Sequence, residues 1–265
     1  MSAARGIAVR STAVPGTGVR GTGAIRIFTL AGILLLWEVL GQTGLIFGEA
    51  LPPASAVAAA AAREIATAVF YRHFAVTLGE VAGGFVFGAL PGVVCGLVLG
   101  ARRILGAAAD PYIAALATTP KIVFLPIVML LVGIGPGSKA MLGAISAFFP
   151  VVIATVAGMR AIPPVFVRVG RAFNLDALQM ARMVYLPALA LPIVTGLRLG
   201  LGVCIIGVLL GELKISSAGL GYLARNHYDR YDFAALYAIV AIVFALAALA
   251  NIAMSRLVRR AEAHR

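Results

Sequence analysis

Residues 163–184, PPVFVRVGRAFNLDALQMARMV, carry Arg168, Arg171, Arg182 and Asp176 and run through Tyr185 into the apolar LPALALPIVTGLRLGLG of 186–202. Arg160 precedes them. The runs on either side, roughly 140–158 and 186–210, are each long enough to cross a hydrocarbon core of about 30 Å at about 1.5 Å per helical residue. A basic helical segment between two spans marks a cytoplasmic handle, a place where a soluble protein can hold a membrane protein and pull. Pro187 opens the span that follows, so displacing the segment would tilt that span.

Outward from this segment the chain is apolar. Of its 265 residues, 62% are hydrophobic and 12% charged, with a mean hydropathy of +1.02. This is the composition of an all-α integral membrane protein. Six spans are expected, at roughly 27–47, 74–100, 112–133, 140–158, 186–210 and 233–254. They exceed a membrane strand in length and lack two-residue alternation, which excludes a barrel. Among 30 glycines, the pairs and triplets 79/83, 92/96/100 and 196/200 allow close helix approach. For any single pair, ordinary tolerance of glycine in membrane helices is the plainer reading.

A net charge of +12 raises the question of nucleic acid, and the distribution of the charges answers it. With the N-terminus placed inside, fourteen arginines fall on the inner side, among them Arg102, Arg103, Arg160, Arg168, Arg171, Arg182 and Arg256. Six cations fall outside: Arg63, Arg72, Lys139, Lys214, Arg225 and Arg230. The asymmetry reports topology, with both termini cytoplasmic, and requires no nucleic acid. Cys95 and Cys204 read as small buried hydrophobes. The first apolar run is longer than a signal h-region and lacks a convincing cleavage site. Residues 1–24 are expected to be a disordered tail, 25–260 one transmembrane domain without internal repeat, and 261–265 a short C-terminal tail.

Between the spans, residues 51–74 read as an interfacial outer helix, and 100–111 as a short basic cytoplasmic turn. The third span is broken by Pro120 and Pro126, each of which removes a backbone donor. Lys121, beside the first break, either snorkels to the interface or faces a cavity. Arg198 falls mid-membrane and must face the bundle or a cavity. Glu80 and Glu212 are the intramembrane or rim acids, and Glu80 and Arg198 could serve to neutralise other charges in the bundle. Lys121, Arg198, Glu80 and Glu212 are the candidates for a translocation pathway. The outer loop 211–233, with Arg225, His227, Asp229, Arg230 and Asp232, reads as solvated and as a plausible docking surface.

Chemistry of its own is not expected. There is no phosphate-cradling G-x-x-x-x-G-K-[ST] loop. His73, His227 and His264 have no partner at metal spacing, and Ser138 lies in a loop without a serine-protease setting. Neither metal nor cofactor is anticipated, and the energy for moving a solute would come from elsewhere.

Several landmarks then stand in order: LPPASAV (51–57), TLGEVAGGFVFG (77–88), DPYIAALATTPKIVFLPI (110–127), VGIGPGSKA (132–140), FFPVVIATVAGMRAI (148–162), YLPALALPIVTGLRLGL (185–201) and GELKISSAGLGYL (211–223). Over about 51–260 the chain resembles the transmembrane permease subunit of binding-protein-dependent ABC importers, in the nitrate/sulfonate/taurine branch. The family's coupling loop is patterned E-A-A, three residues, G, then a spacer to L-P. Leu186 and Pro187 match the anchor, while Arg168, Val169 and Gly170 stand at the E-A-A positions and Asn174 at the glycine. Asn is the next-best residue for a left-handed turn. Arginine for glutamate reverses a charge, suggesting a dedicated partner or an unimportant rim position.

The resemblance implies a type I importer fold and a permease homodimer in the bacterial inner membrane, with two cytoplasmic ABC ATPase subunits and a soluble solute-binding protein outside. The coupling residues it implies are Arg168, Gly170, Arg171, Ala172, Asn174, Asp176, Leu186 and Pro187. It implies import of a small anion such as a sulfonate, nitrate or taurine, or of an aromatic vitamin precursor, toward which Glu80 leans. A stand-alone secondary transporter or channel is the alternative; it would want an inverted repeat and midplane carboxylates.

Overall fold

The computed structural model describes residues 19–44 and 50–263, which are helical, with no strand among them. The chain divides into two compact units, 1–55 and 56–265. In the first, helix α1 (Val19–Thr43) is an apolar span. It takes in residues 19–24, which the sequence reading assigned to a disordered tail; the rest of that tail, 1–18, lies outside the described residues. Glu38 of α1 accepts from the Ser55 amide at 2.9 Å and the Ser55 hydroxyl at 2.7 Å. The backbone of Pro53 crosses Gly41 so closely that a Cβ there would come within 2.5 Å of Cα.

In the second unit, α2 (Ala54–Ile65) is followed after Thr67 by α3 (Ala68–Ala101). Thr67 caps α3, its hydroxyl accepting from the Phe70 amide at 3.2 Å. The expected outer helix 51–74 is therefore split, and residues 68–74 belong to the second span, α3. The expected basic turn 100–111 is mostly helix as well: only Arg102 interrupts the passage from α3 to α4 (Arg103–Thr118). Then the chain bends by 94° at Thr119 and Pro120, makes a 3-10 turn over Lys121–Phe124, and forms the short α5 (Leu125–Val132). Pro126 sits in the first turn of α5, where its missing N–H is harmless, and is not the second kink that the sequence suggested.

Helix α6 (Pro136–Arg160) is the buried axis of the unit. Next come α7 (Pro164–Ala172), α8 (Ala177–Met180), a π-helical turn over Ala181–Tyr185, α9 (Leu186–Ile215), α10 (Leu220–Asp229) and α11 (Phe233–Ala263). Residues 261–263, expected in a tail, continue α11. Among the described residues five helices are long and apolar enough to cross a membrane, and the bent α4–α5 pair makes a sixth span if counted as one.

Helix α6 lies between α3 and α9, and small residues set both interfaces. Gly84, Gly88, Gly92, Gly96 and Gly100 place α3 on α6. A Cβ at Gly84 would lie 2.5 Å from the Ala140 carbonyl oxygen, and one at Gly96 would lie 2.5 Å from Cβ of Thr155. On the other side Gly196, Gly200, Gly207 and Gly211 of α9 meet Ala154, Ala147, Ser146 and Lys139. The 92/96/100 and 196/200 glycines thus belong to close-packed seams, whereas at 79/83, where a Cβ would meet nothing within 4 Å, the plainer reading holds; lipid supplies little drive for helix association, so backbone approach and dispersion must do so. Exposed apolar side chains such as Phe87, Leu90, Leu130 and Phe244 cover the outside, as a lipid-facing surface requires.

Candidate functional site

Segment 160–185 forms a helix–turn–helix at one end of the bundle. Helix α7 ends in a Schellman turn, with the Leu175 amide donating to the Gly170 carbonyl at 3.1 Å and the Asn174 amide to that of Arg171 at 2.9 Å. Asn174 takes φ +51°, the left-handed conformation expected of it. Asp176 and Gln179 then cap α8 reciprocally: the Gln179 amide donates to Asp176 Oδ1 at 2.7 Å, and the Asp176 amide to Gln179 Oε1 at 2.9 Å. Gly170 is buried beneath Met180, whereas Arg168, Arg171, Ala172 and Arg182 are exposed. Around them stand Phe166, Phe173 at 76% exposure, Leu178 and Met183. From Ala177 to Ile215 the backbone is helical without interruption through Leu186 and Pro187, so the segment is mechanically continuous with α9. Beside it Arg160 holds Asp110 of α4 in a two-pronged pair, at 2.9 and 3.2 Å.

Lys121 faces a cavity, one of the two sequence alternatives, and also makes contacts that neither described. Pro120 has no N–H to offer the Leu116 carbonyl four residues back, so α4 ends with open acceptors. The Lys121 ammonium closes them, donating to the carbonyls of Leu116 at 2.9 Å, Ala117 at 2.8 Å and Thr119 at 2.6 Å. That uses all three of its donors and sets its charge at the negative end of the α4 dipole. The ammonium also lies 5.2 Å from the centroid of the Phe149 ring. Lys121, Ser146, Phe149, Pro150 and Ile206 line a cavity of about 230 Å³ between α4, α6 and α9.

Glu80 and Glu212 belong to a different place, the opposite end of the bundle from segment 160–185. Glu80 faces Lys139 Nζ at 3.2 Å, the two side chains only 3% and 6% exposed. Lys139, counted as an outer-loop cation from sequence, and Ser138, read as a loop serine, are both buried in the first turn of α6. Lys139 donates to Ser216 Oγ at 2.8 Å. Glu212 accepts from the Thr77 hydroxyl at 2.6 Å and the Gly221 amide at 2.7 Å. Thr77 Oγ1 accepts from the Leu220 amide at 2.7 Å, and His73 Nδ1 from that of Gly219 at 3.0 Å. Three successive amides at the start of α10 are therefore capped by side chains of α3 and α9. Gly219 has φ +108° and leaves room for the Glu212 carboxyl, which a Cβ there would strike.

The outer loop 211–233 is accordingly not a solvated coil. Glu212 is buried in α9, and Leu220, Leu223 and Ala224 of α10 pack with Phe70 and Ile239. His227 is half-buried, 3.2 Å from Glu64 of α2 and 3.7 Å from Asp232. Arg225, Asp229 and Arg230 do face outward. Arg198 stands apart from the other three pathway candidates: its Nε donates to Asn251 Oδ1 of α11 at 2.5 Å, in a groove between α9 and α11. Sequence reasoning missed Lys139, Thr77 and Ser216; a lysine and serine directly after a Pro-Gly at the head of an apolar run were the signal available. Among the described residues no cluster of three metal-ligating side chains occurs.

Glycine-packed spans, a basic helix–turn–helix at one end and a short helix clamped by buried side chains at the other define a multi-pass helical membrane protein. Residues 92–263 match the family "Binding-protein-dependent transport system inner membrane component", and the chain belongs to that family. It is a multi-pass protein of the bacterial inner membrane. The chain is 31% identical to the "Putative aliphatic sulfonates transport permease protein SsuC" of Bacillus subtilis (strain 168), over 73% of this chain and 70% of that protein. It is 27% identical to the "Taurine transport system permease protein TauC" of Escherichia coli (strain K12), over 89% and 88%. Among solved structures it is similar to the MetNI methionine ABC transporter in an inward-facing conformation, with a TM-score of 0.66 at 19% identity, over 73% of this chain and 96% of that one. That likeness is one of fold, and the fold is the type I importer permease arrangement expected from sequence.

Proposed function

We propose that this chain is the membrane-spanning subunit of an ATP-driven importer of small organic anions of the sulfonate and taurine kind, acting as a homodimer with both termini in the cytoplasm. Two ATPase subunits hold segment 160–185, and a soluble binding protein delivers solute at the opposite face. The single observation that carries the reading is the capped α7–α8 pair, which offers exposed Phe166, Phe173 and Leu178 beside Arg168 and Arg171 and runs unbroken into α9. Closure of the ATPase pair would push on that lever and tilt α9 together with the α6 and α3 packed on it. The chain itself performs no covalent step.

Solute passes the Lys121 cavity in this reading. The ammonium supplies positive potential while its donors hold the broken end of α4, so it steers an anion without gripping it. Glu80 and Glu212 shape the outer end, facing Lys139 in the one case and Thr77 and Gly221 in the other, whereas a stand-alone secondary transporter would want its coupling carboxylates at the midplane. The test is uptake of taurine and alkanesulfonates into vesicles containing the chain, its ATPase and its binding protein. Phe173→Ala with Arg171→Glu is expected to abolish co-purification of the ATPase and ATP-dependent uptake while leaving the chain folded. Lys121→Met is expected to lower uptake about tenfold or more with the ATPase still bound. Uptake that persists without ATP would overturn the assignment.

A further inference from the structure

The groove between α9 and α11 has a volume of about 1040 Å³. Gly202, Ile206 and Leu209 form one wall and Ile239, Val243 and Ala247 the other, so the lining is almost wholly apolar. One end differs. There the exposed Arg198 guanidinium is fixed through Nε by Asn251, and its four remaining N–H donors have no partner among the described residues. Asn251 lies five residues before Arg256, where the apolar span Phe233–Arg256 ends, which is about 7.5 Å along the helix. The cation therefore sits just below the interface on the side of segment 160–185. From it the groove runs about 18 Å along α11, the twelve residues from Asn251 back to Ile239, a track for an extended acyl chain that passes the midplane of a core of about 30 Å.

An intramembrane cation without a counter-charge is costly, so whatever covers the groove should bring an anion. In a second copy of this chain the acids of the bundle are taken: Glu80 faces Lys139, Asp110 is paired with Arg160, and Glu212 is enclosed by Thr77 and Gly221. Glu38 of α1 keeps its charge but is tied to Ser55 through both carboxylate oxygens. From this charge balance and the apolar wall we infer that the groove is a binding site for an anionic phospholipid of the leaflet on the side of segment 160–185, its phosphate on Arg198 and an acyl chain along α9 and α11.

The experiment is native mass spectrometry of the full chain in detergent, titrated with dioleoyl phosphatidylglycerol or dioleoyl phosphatidylcholine. One phosphatidylglycerol per chain is expected to be retained in preference to phosphatidylcholine. Arg198→Gln should weaken that retention about fivefold. Gly202→Leu should weaken it as well without touching the charge: a Cβ at Gly202 meets nothing within 4 Å, so the added side chain enters the groove and the fold survives. Equal retention of the two lipids, or unchanged phosphatidylglycerol binding in both variants, overturns the site. So does disulfide crosslinking between two copies through Gly202→Cys in phosphatidylglycerol nanodiscs, which would show the groove covered by protein.

Discussion

Removing either member of the buried Glu80–Lys139 pair should damage the fold far more than removing both. The side chains are 3% and 6% exposed and 3.2 Å apart. With Glu80→Met, the Lys139 ammonium keeps only the Ser216 hydroxyl. With Lys139→Met, the Glu80 carboxyl, whose oxygens accept no hydrogen bond, loses its counter-charge. Deleting one partner of a buried pair costs about 3–5 kcal/mol, whereas exchanging both for apolar residues of similar volume is often close to neutral. At about 2–4 °C per kcal/mol for a chain of this size, each single variant should melt about 10 °C lower and the double variant within about 4 °C of wild type. The assay is a thermal ramp with a thiol-reactive dye. Cys204 is fully buried, so its labelling reports opening of the core, and a Cys95→Ala background removes the half-buried second thiol. Single variants that shift by less than about 2 °C, or a double variant equal to the sum of the singles, would refute the pairing energetics.

Two further outcomes follow from the geometry. Gly88→Val should cost about 3 kcal/mol or more in the same melt, since its Cβ would overlap the Ala144 carbonyl, while Gly79→Ala, with nothing within 4 Å, should be neutral or stabilising. Asn174→Gly should tighten the α7–α8 turn by about 0.5 kcal/mol and Asn174→Val loosen it by about 1–2 kcal/mol, because the position has φ +51°; hydrogen exchange across 164–180 measures both.

The spans and the helix–turn–helix were legible because their signals are local. Apolar length, arginine spacing, the Leu186–Pro187 anchor and a turn-forming Asn174 need no knowledge of what lies alongside. The outer cluster was not legible for the opposite reason. Thr77, Lys139 and Glu212 are separated by tens of residues, and nothing in any one stretch says that a lysine shortly after Gly135–Pro136 will meet a glutamate from α3. Polar residues near the ends of spans resemble solvated loop residues until packing shows them closed off, as it does for α10. Lys121 was legible in part: a cavity was among its sequence alternatives and Pro120 announced the break, but the closing of its ammonium on the carbonyls of Leu116, Ala117 and Thr119 was not.

The glycine seam of α3 also acts as a ruler. Its five notches recur every four residues, from Gly84 to Gly100, so α3 can seat on α6 only in steps of about 6 Å. Any intermediate slide would drive side chains into backbone. The capping of α10 by Thr77 and His73 selects one of those steps, since a shift of one notch would carry both away from the amides of Leu220 and Gly219. Vernier-like indexing of this kind leaves α3, α6 and α9 to travel as one block, and assigns the flexing of a transport cycle to Arg102 and to the Thr119–Pro120 bend, where the helices are already interrupted.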